Sequence, residues 1–197
     1  MEFKVYEQLC FPTPVWEIPV SGINNESIKD YCLQTREKLP GVTISNRGGW
    51  HSKEWLTPVP DDLERLFTDI TLFANDVCRR HMGIELQMGN FWININGKHD
   101  YNLLHDHQKS ILSGVYYVEV PEDNMGDLVL VRGDNADLFL TGNVEESTLV
   151  NMPSVTKKAV QSTMYLFPSW IKHYVERNES DKERISIAFN LVPAKLK

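Results

Sequence analysis

From Ile84 to the C-terminus the apolar residues recur with period two, and no other feature constrains the fold as strongly. Phe91, Ile93 and Ile95 alternate with Trp92, Asn94 and Asn96, the pattern of a strand with one apolar and one polar face. Gly114–Val120, Leu128–Val131, Thr163–Phe167 and Ile185–Leu191 are further β-branched and aromatic runs. Turn chemistry separates them at Pro121-Glu-Asp-Asn-Met-Gly126 and at Asn178-Glu-Ser-Asp181. Residues 133–156 are polar and weakly patterned, which predicts a long loop with at most one short strand.

Before Ile84 the period is helical. Asn24 or Asn25 is placed to cap a helix whose stripe is Ile28, Tyr31, Cys32 and Thr35, stopped by Pro40-Gly41. Asp61, with Glu64 three residues on, is placed to cap a second helix. Its stripe of Leu63, Leu66, Phe67, Ile70, Phe73 and Val77 runs until Gly83, so this helix is expected to be scaffold rather than site. Residues 2–20, cut by Pro12, Pro14 and Pro19, read as one or two edge strands. Residues 41–60 read as an irregular loop around Trp50. A chain of 197 residues suits one domain better than two. The expectation is a single α+β domain over 1–197, with a mostly helical support over 1–83. A β core of sandwich, barrel or jelly-roll kind is expected over 84–197.

Composition narrows the partners. A net charge of −7 repels nucleic acid and anionic membranes, and no apolar run is long enough to cross a bilayer. The three cysteines, Cys10, Cys32 and Cys78, are odd in number and lack CxxC spacing. They fit a reducing compartment rather than a disulfide framework. The N-terminal residues show no signal-peptide pattern, so a cytoplasmic location is expected, in the host cytoplasm if the gene belongs to a phage.

The chemistry concentrates in Asn102-Leu-Leu-His105-Asp106-His107. Histidines two apart on a strand share a face, so His105 and His107 can grip one metal ion, with His173 as the third candidate ligand. If Asn178–Asp181 forms a hairpin loop, His173 falls opposite Ser186, one diagonal step from Arg184. Arg184, Ser186, Ala188 and Asn190 then share the face that carries the histidine. An arginine pointing into a sheet interior is costly unless an anion meets it. The blander readings are edge-strand histidines and an Arg184 paired with Glu119 or Glu183. Asp106 is a ligand only if the strand breaks there.

Five segments together resemble a family of 2-oxoglutarate/Fe(II)-dependent oxygenases of marine bacteria and cyanophages. They are Phe11-Pro-Thr-Pro-Val-Trp16, Asn46-Arg-Gly-Gly-Trp-His-Ser52, Asn102–His107 with Ser113-Gly-Val-Tyr-Tyr-Val118, Leu166-Phe-Pro-Ser-Trp170 with His173, and Arg184-Ile-Ser-Ile-Ala-Phe-Asn190. The resemblance implies a double-stranded β-helix (jelly-roll) core. It also implies Fe(II) at His105, His107 and His173, and 2-oxoglutarate held through Arg184 and Ser186, with Asn94 and Tyr116 as further cofactor-binding candidates. Trp50, Asn102 and Trp170 are candidates for substrate contact or a lid. The wider superfamily uses two histidines and a carboxylate. Here His107 stands where that carboxylate would be, which leaves the third ligand open between His107 and a carboxylate such as Asp106.

The implied activity is a dioxygenase of hydroxylase type that uses O2, releases succinate and CO2, and acts on a small-molecule or peptide substrate. Whether the chain forms a homodimer is left open. Two rivals stand beside it: a cupin-type three-histidine metal enzyme that does not use 2-oxoglutarate, and a non-catalytic jelly-roll module with a closed structural metal site.

Overall fold

The computed structural model describes residues 4, 6, 8, 10–54, 56–134 and 146–194. Parts of the expected N-terminal strands and of the 133–156 loop lie outside the described residues. The elements run β1 (Trp16–Pro19), α1 (Asn25–Lys38), β2 (Asn46–Arg47), β3 (Trp50–His51), α2 (Asp61–His81), β4 (Leu86–Asn96), β5 (Tyr101–His105) and β6 (Leu112–Glu119). They continue with β7 (Leu128–Val131), β8 (Ser154–Lys157), β9 (Thr163–Pro168), β10 (His173–Val175) and β11 (Arg184–Pro193). The strands form two antiparallel sheets, one of six strands in the order β1-β9-β6-β11-β4-β3 and one of five in the order β2-β5-β10-β7-β8. This is the α+β jelly-roll arrangement that the change of period predicts. No helix among the described residues is long and apolar enough to cross a membrane.

The alternation along β4, β6 and β11 decides where the core sits. Phe91, Ile93, Ile95, Leu112, Tyr116, Ile185, Ile187, Phe189 and Leu191 lie on one face of the large sheet and pack with Ile28 and Cys32 of α1 and with Leu63, Leu66 and Ile70 of α2. The other face looks at the small sheet. There Tyr117, Tyr165 and Phe167 pack against Leu128, Leu130 and Ile171. Both helices therefore lie on the back of the sheet whose front carries the polar residues.

The local details depart from expectation in three places. Asp61 is the first helical residue rather than the cap; Pro60 holds the cap position, and no side chain completes either helix N-terminus. The buried stripe of α2 is turned toward Ala74 and Cys78, while Phe67 and Phe73 are half-buried at its border. Phe67 instead packs its ring 4.5 Å from that of Phe91. Leu66→Ala is thus expected to cost about 2–5 kcal/mol, the range for a fully buried leucine, and Phe67→Ala less than a buried phenylalanine does. Urea denaturation checks this, and an equal or larger loss at Phe67 contradicts the assignment of the buried face.

The third departure bears on the site. The expected hairpin between β10 and β11 does not form. β10 pairs with β5 and β7 in the small sheet, whereas β11 pairs with β4 and β6 in the large one. His173 therefore lies opposite His105 and Leu130, not opposite Ser186. The segment between the strands crosses from one sheet to the other. Asn178 anchors it by donating to the carbonyls of Asn96 and Lys182.

Candidate metal centre

The three histidines meet between the two sheets. His105 ends β5, and cross-strand pairing sets His173 beside it, with ring centroids 4.3 Å apart. His107 lies just past the end of β5 rather than on the strand, and its backbone N–H donates to the carbonyl of Ser169. Its ring centroid is 5.0 Å from each of the other two. One nitrogen from each ring falls within 4.8 Å of the others, a group that can hold a metal ion.

Hydrogen bonding orients two of the rings. Nδ1 of His105 meets the carbonyl of Leu103 at 2.7 Å, and Nδ1 of His173 meets that of Ile171 at 3.0 Å. A carbonyl only accepts, so Nδ1 carries the proton in both rings. The Nε2 lone pair is left to face the cluster, the usual tautomer control at a metal site. Burial lowers the pKa of all three, followed for His107 and His173 by the neighbouring imidazoles; His107 falls to about 3 and His173 to about 4. The cluster is thus neutral at pH 7, as a metal ligand set requires.

These directions carry a stability prediction. Above pH 6.5 the histidines are neutral in folded and unfolded chains alike. Below it the unfolded chain takes up protons that the folded cluster refuses, so stability falls as pH falls from 6.5 toward 4. Metal-free protein should show a declining urea midpoint across this window. Replacing His107 by Gln should flatten the decline, and an unchanged slope would separate the acid response from the cluster.

A second group shares the cavity. Arg184 is 2% exposed. Its Nη1 donates to the carbonyls of Met125 and Gly126, and its Nη2 donates to Oδ1 of Asn96 at 3.0 Å. Gly126 adopts φ +87°, and a Cβ there would stand 2.2 Å from the Glu176 carbonyl. Only glycine lets this turn close over the guanidinium. All three acceptors are uncharged, and Nε has no hydrogen-bond partner among the described residues. Burial pushes the Arg184 pKa down, but an arginine remains charged. The result is a buried cation with no ion pair among the described residues, the Asp127 carboxylate acting on it only at a distance.

Around it, Ser186 and Asn94 line the same cavity, with side chains that make no hydrogen bond among the described residues. Tyr117 lines it too, its pKa pushed up to about 12 by burial, so its hydroxyl keeps its proton. Every one of these groups can donate. The inner cavity therefore joins three neutral metal-binding nitrogens to a set of donors around an unmatched positive charge. Chemistry of this kind suits a dianionic chelator.

The expected site residues divide between the inner cavity and the rest of the fold. His105, His107, His173, Arg184, Ser186, Asn94 and Asn102 all line the inner cavity. Tyr116 does not: it sits in the helix-facing core, where its hydroxyl donates to Oδ1 of Asn25. Tyr117 takes its place. Ser113 has the parity of Tyr117, and that polar residue was the available signal. Trp50 also faces the wrong way for a lid. It pairs with Ile95 on the core side and donates its indole N–H to the Leu39 carbonyl. Its neighbour His51 pairs with Asn94 and lines an outer cavity of about 290 Å³ above the histidines. Trp170 is exposed and lines neither cavity. Asp106 lines the outer cavity and is not part of the metal-capable group.

Comparison with known proteins agrees with this geometry. By structure, the chain is similar to a Pseudomonas putida prolyl-4-hydroxylase, with a TM-score of 0.64, 11% identity, and 93% of this chain and 94% of that one covered. It is similar to HygX from Streptomyces hygroscopicus, solved with nickel and 2-oxoglutarate bound, with a TM-score of 0.64, 14% identity, and coverage of 94% and 85%. A third similarity is to a Trichoplax adhaerens prolyl hydroxylase in complex with a hypoxia inducible factor peptide fragment, with a TM-score of 0.67, 13% identity, and coverage of 90% and 83%. At these identities the likeness speaks for the fold. No curated protein matches by sequence. A family model described as "Putative 2OG-Fe(II) oxygenase" matches residues 90–190, just over half of the chain. Those residues include all three histidines and the buried arginine, and on that match the chain belongs to the 2OG-Fe(II) oxygenase family, enzymes that depend on iron(II) and 2-oxoglutarate.

Proposed function

We propose that His105, His107 and His173 hold iron(II), that Arg184 holds the distal carboxylate of 2-oxoglutarate in the inner cavity, and that the enzyme hydroxylates a small-molecule or peptide substrate reached through the outer cavity. One observation carries this reading: a buried guanidinium with an unpartnered Nε–H and no ion pair lies in the same cavity as three neutral imidazoles. Burying a charge unmatched is costly, and a carboxylate bound there removes the cost.

When bound, the metal and cosubstrate supply the oxygen activation and oxidative decarboxylation that yield succinate and CO2. The chain's own residues position and shield. Arg184 offers a planar fork that Lys cannot reproduce, while Ser186 and Tyr117 supply neutral donors beside it. Asn94 sits along the same wall, toward the histidines. Leu128, Val175 and Phe167 line the remainder and keep water out. The helical part of residues 1–83 supports the β core.

The test is an anaerobic titration of the iron(II) protein with 2-oxoglutarate, followed through its visible charge-transfer band. Succinate release in air is then measured against candidate substrates. A saturable band with stoichiometric uptake supports the reading. Absence of any band, with iron bound, leaves a three-histidine metal site without this cosubstrate.

A further inference from the structure

The two cavities have opposite chemical character. The inner one presents donors and a positive charge. The outer one, lined by His51, Glu54, Asp106, Ser45 and Asn190 among its polar residues, has no lysine or arginine in its lining among the described residues. Asn190 is consumed internally, accepting from Ser113 Oγ and donating to Asn90 Oδ1. The groups left to a ligand are therefore mostly acceptors.

His51 is the decisive one. It is 4% exposed and stacks on Trp92 with ring centroids 5.8 Å apart and an interplanar angle of 11°. Its Nδ1 lies 2.7 Å from the Ser52 carbonyl, so Nδ1 carries the proton and Nε2 keeps a lone pair. No hydrogen bond to Nε2 is found among the described residues, and His51 lines the cavity. Burial favours the neutral ring. Glu54 and Asp106 likewise have neither ion pair nor hydrogen bond among the described residues. Ile44, Leu103 and Leu104 add an exposed apolar rim.

We propose that the outer cavity selects a substrate bearing a protonated amine or guanidinium on an apolar arm, with Nε2 of His51 as hydrogen-bond acceptor and Glu54 and Asp106 as counter-charges. This rests on the preceding reading, because the outer cavity is a substrate site only if the histidines below it hold the reactive metal.

The test uses the anaerobic iron(II)·2-oxoglutarate protein and four probes of one chain length: n-hexylamine, n-hexyltrimethylammonium, n-hexanol and hexanoate. Apparent Kd is read from perturbation of the cosubstrate band. Failure to form that band in the absence of probe rejects the preceding reading. With the band present, the outcome bears on the outer cavity alone. Hexylamine is expected to bind at least about fivefold more tightly than hexanol, and hexanoate more weakly than either. Hexyltrimethylammonium keeps the charge but has no N–H, so it should fall between hexylamine and hexanol. His51→Phe retains the stack on Trp92 and should erase the difference between the two cations. Glu54 lies at the exposed rim, so Glu54→Gln folds normally and should reduce the preference of both cations over hexanol. An equal affinity for all four probes, a preference for hexanoate, or an unchanged cation preference in Glu54→Gln together with Asp106→Asn overturns the proposal.

Discussion

His107→Ala and His173→Ala are each expected to abolish stoichiometric iron(II) binding, measured by anaerobic equilibrium dialysis. His173 is 4% exposed, and His105 and His107 are half-buried beside it. Among the described residues, no carboxylate joins the cluster to replace a lost nitrogen. Losing even an outer partner of a metal ligand costs about 10–100-fold in affinity, so loss of the ligand itself should exceed that range. The neutral cluster is preformed by β-pairing and by the backbone contact of His107, so the metal-free variants should retain the fold. Thermal denaturation of the metal-free forms separates loss of ligand from loss of structure. Full iron retention in His107→Ala would remove it from the ligand set and turn attention to Asp106, which borders the outer cavity.

Arg184→Met is expected to act in two directions at once. For cosubstrate binding, removing one half of a buried charge pair costs about 2–5 kcal/mol. At 1.4 kcal/mol per tenfold, this weakens 2-oxoglutarate by roughly 30- to 4,000-fold. For the empty protein the sign reverses or vanishes. Arg184 is buried with only neutral partners and an orphan Nε, and replacing such a charge by an apolar side chain is often neutral or stabilising. Iron affinity should be little changed, because Arg184 is outside the metal-capable group. Arg184→Lys keeps the charge but loses the fork, so its loss of 2-oxoglutarate affinity should be intermediate. Equal affinity in wild type and Arg184→Met removes the cosubstrate assignment. A large fall in metal-free stability on Arg184→Met would instead make the arginine a structural strut for the Met125–Gly126 turn.

The sequence by itself determined the faces. Strand parity follows from the covalent geometry of an extended chain, so Arg184, Ser186 and Ala188 had to share a side, and so did Phe91, Ile93 and Ile95. The helix stripes and the change of period at Ile84 were legible for the same reason. Parity alone also marked Tyr117 as the partner of Ser113, although Tyr116 was the expected cofactor contact.

The tertiary structure decided which faces meet. Nothing local to Asn178–Asp181 distinguishes a hairpin from a crossing between sheets. That choice was made by burial of the apolar face of β11 against the helices and by the pairing of β10 with β5. His173 and Arg184 consequently face one cavity from opposite sheets rather than lying side by side on one. A two-residue strand has no periodicity to read, so only the pairing of β3 with β4 could show that His51 turns toward the site and Trp50 away from it. The unmatched charge of Arg184 was equally invisible in sequence, where Glu119 and Glu183 are plausible partners. In the fold, Lys29 takes Glu119 and Arg36 takes Glu183 at the surface, leaving the arginine alone inside. Parity is a property of the chain, but partnership depends on which surfaces burial brings together.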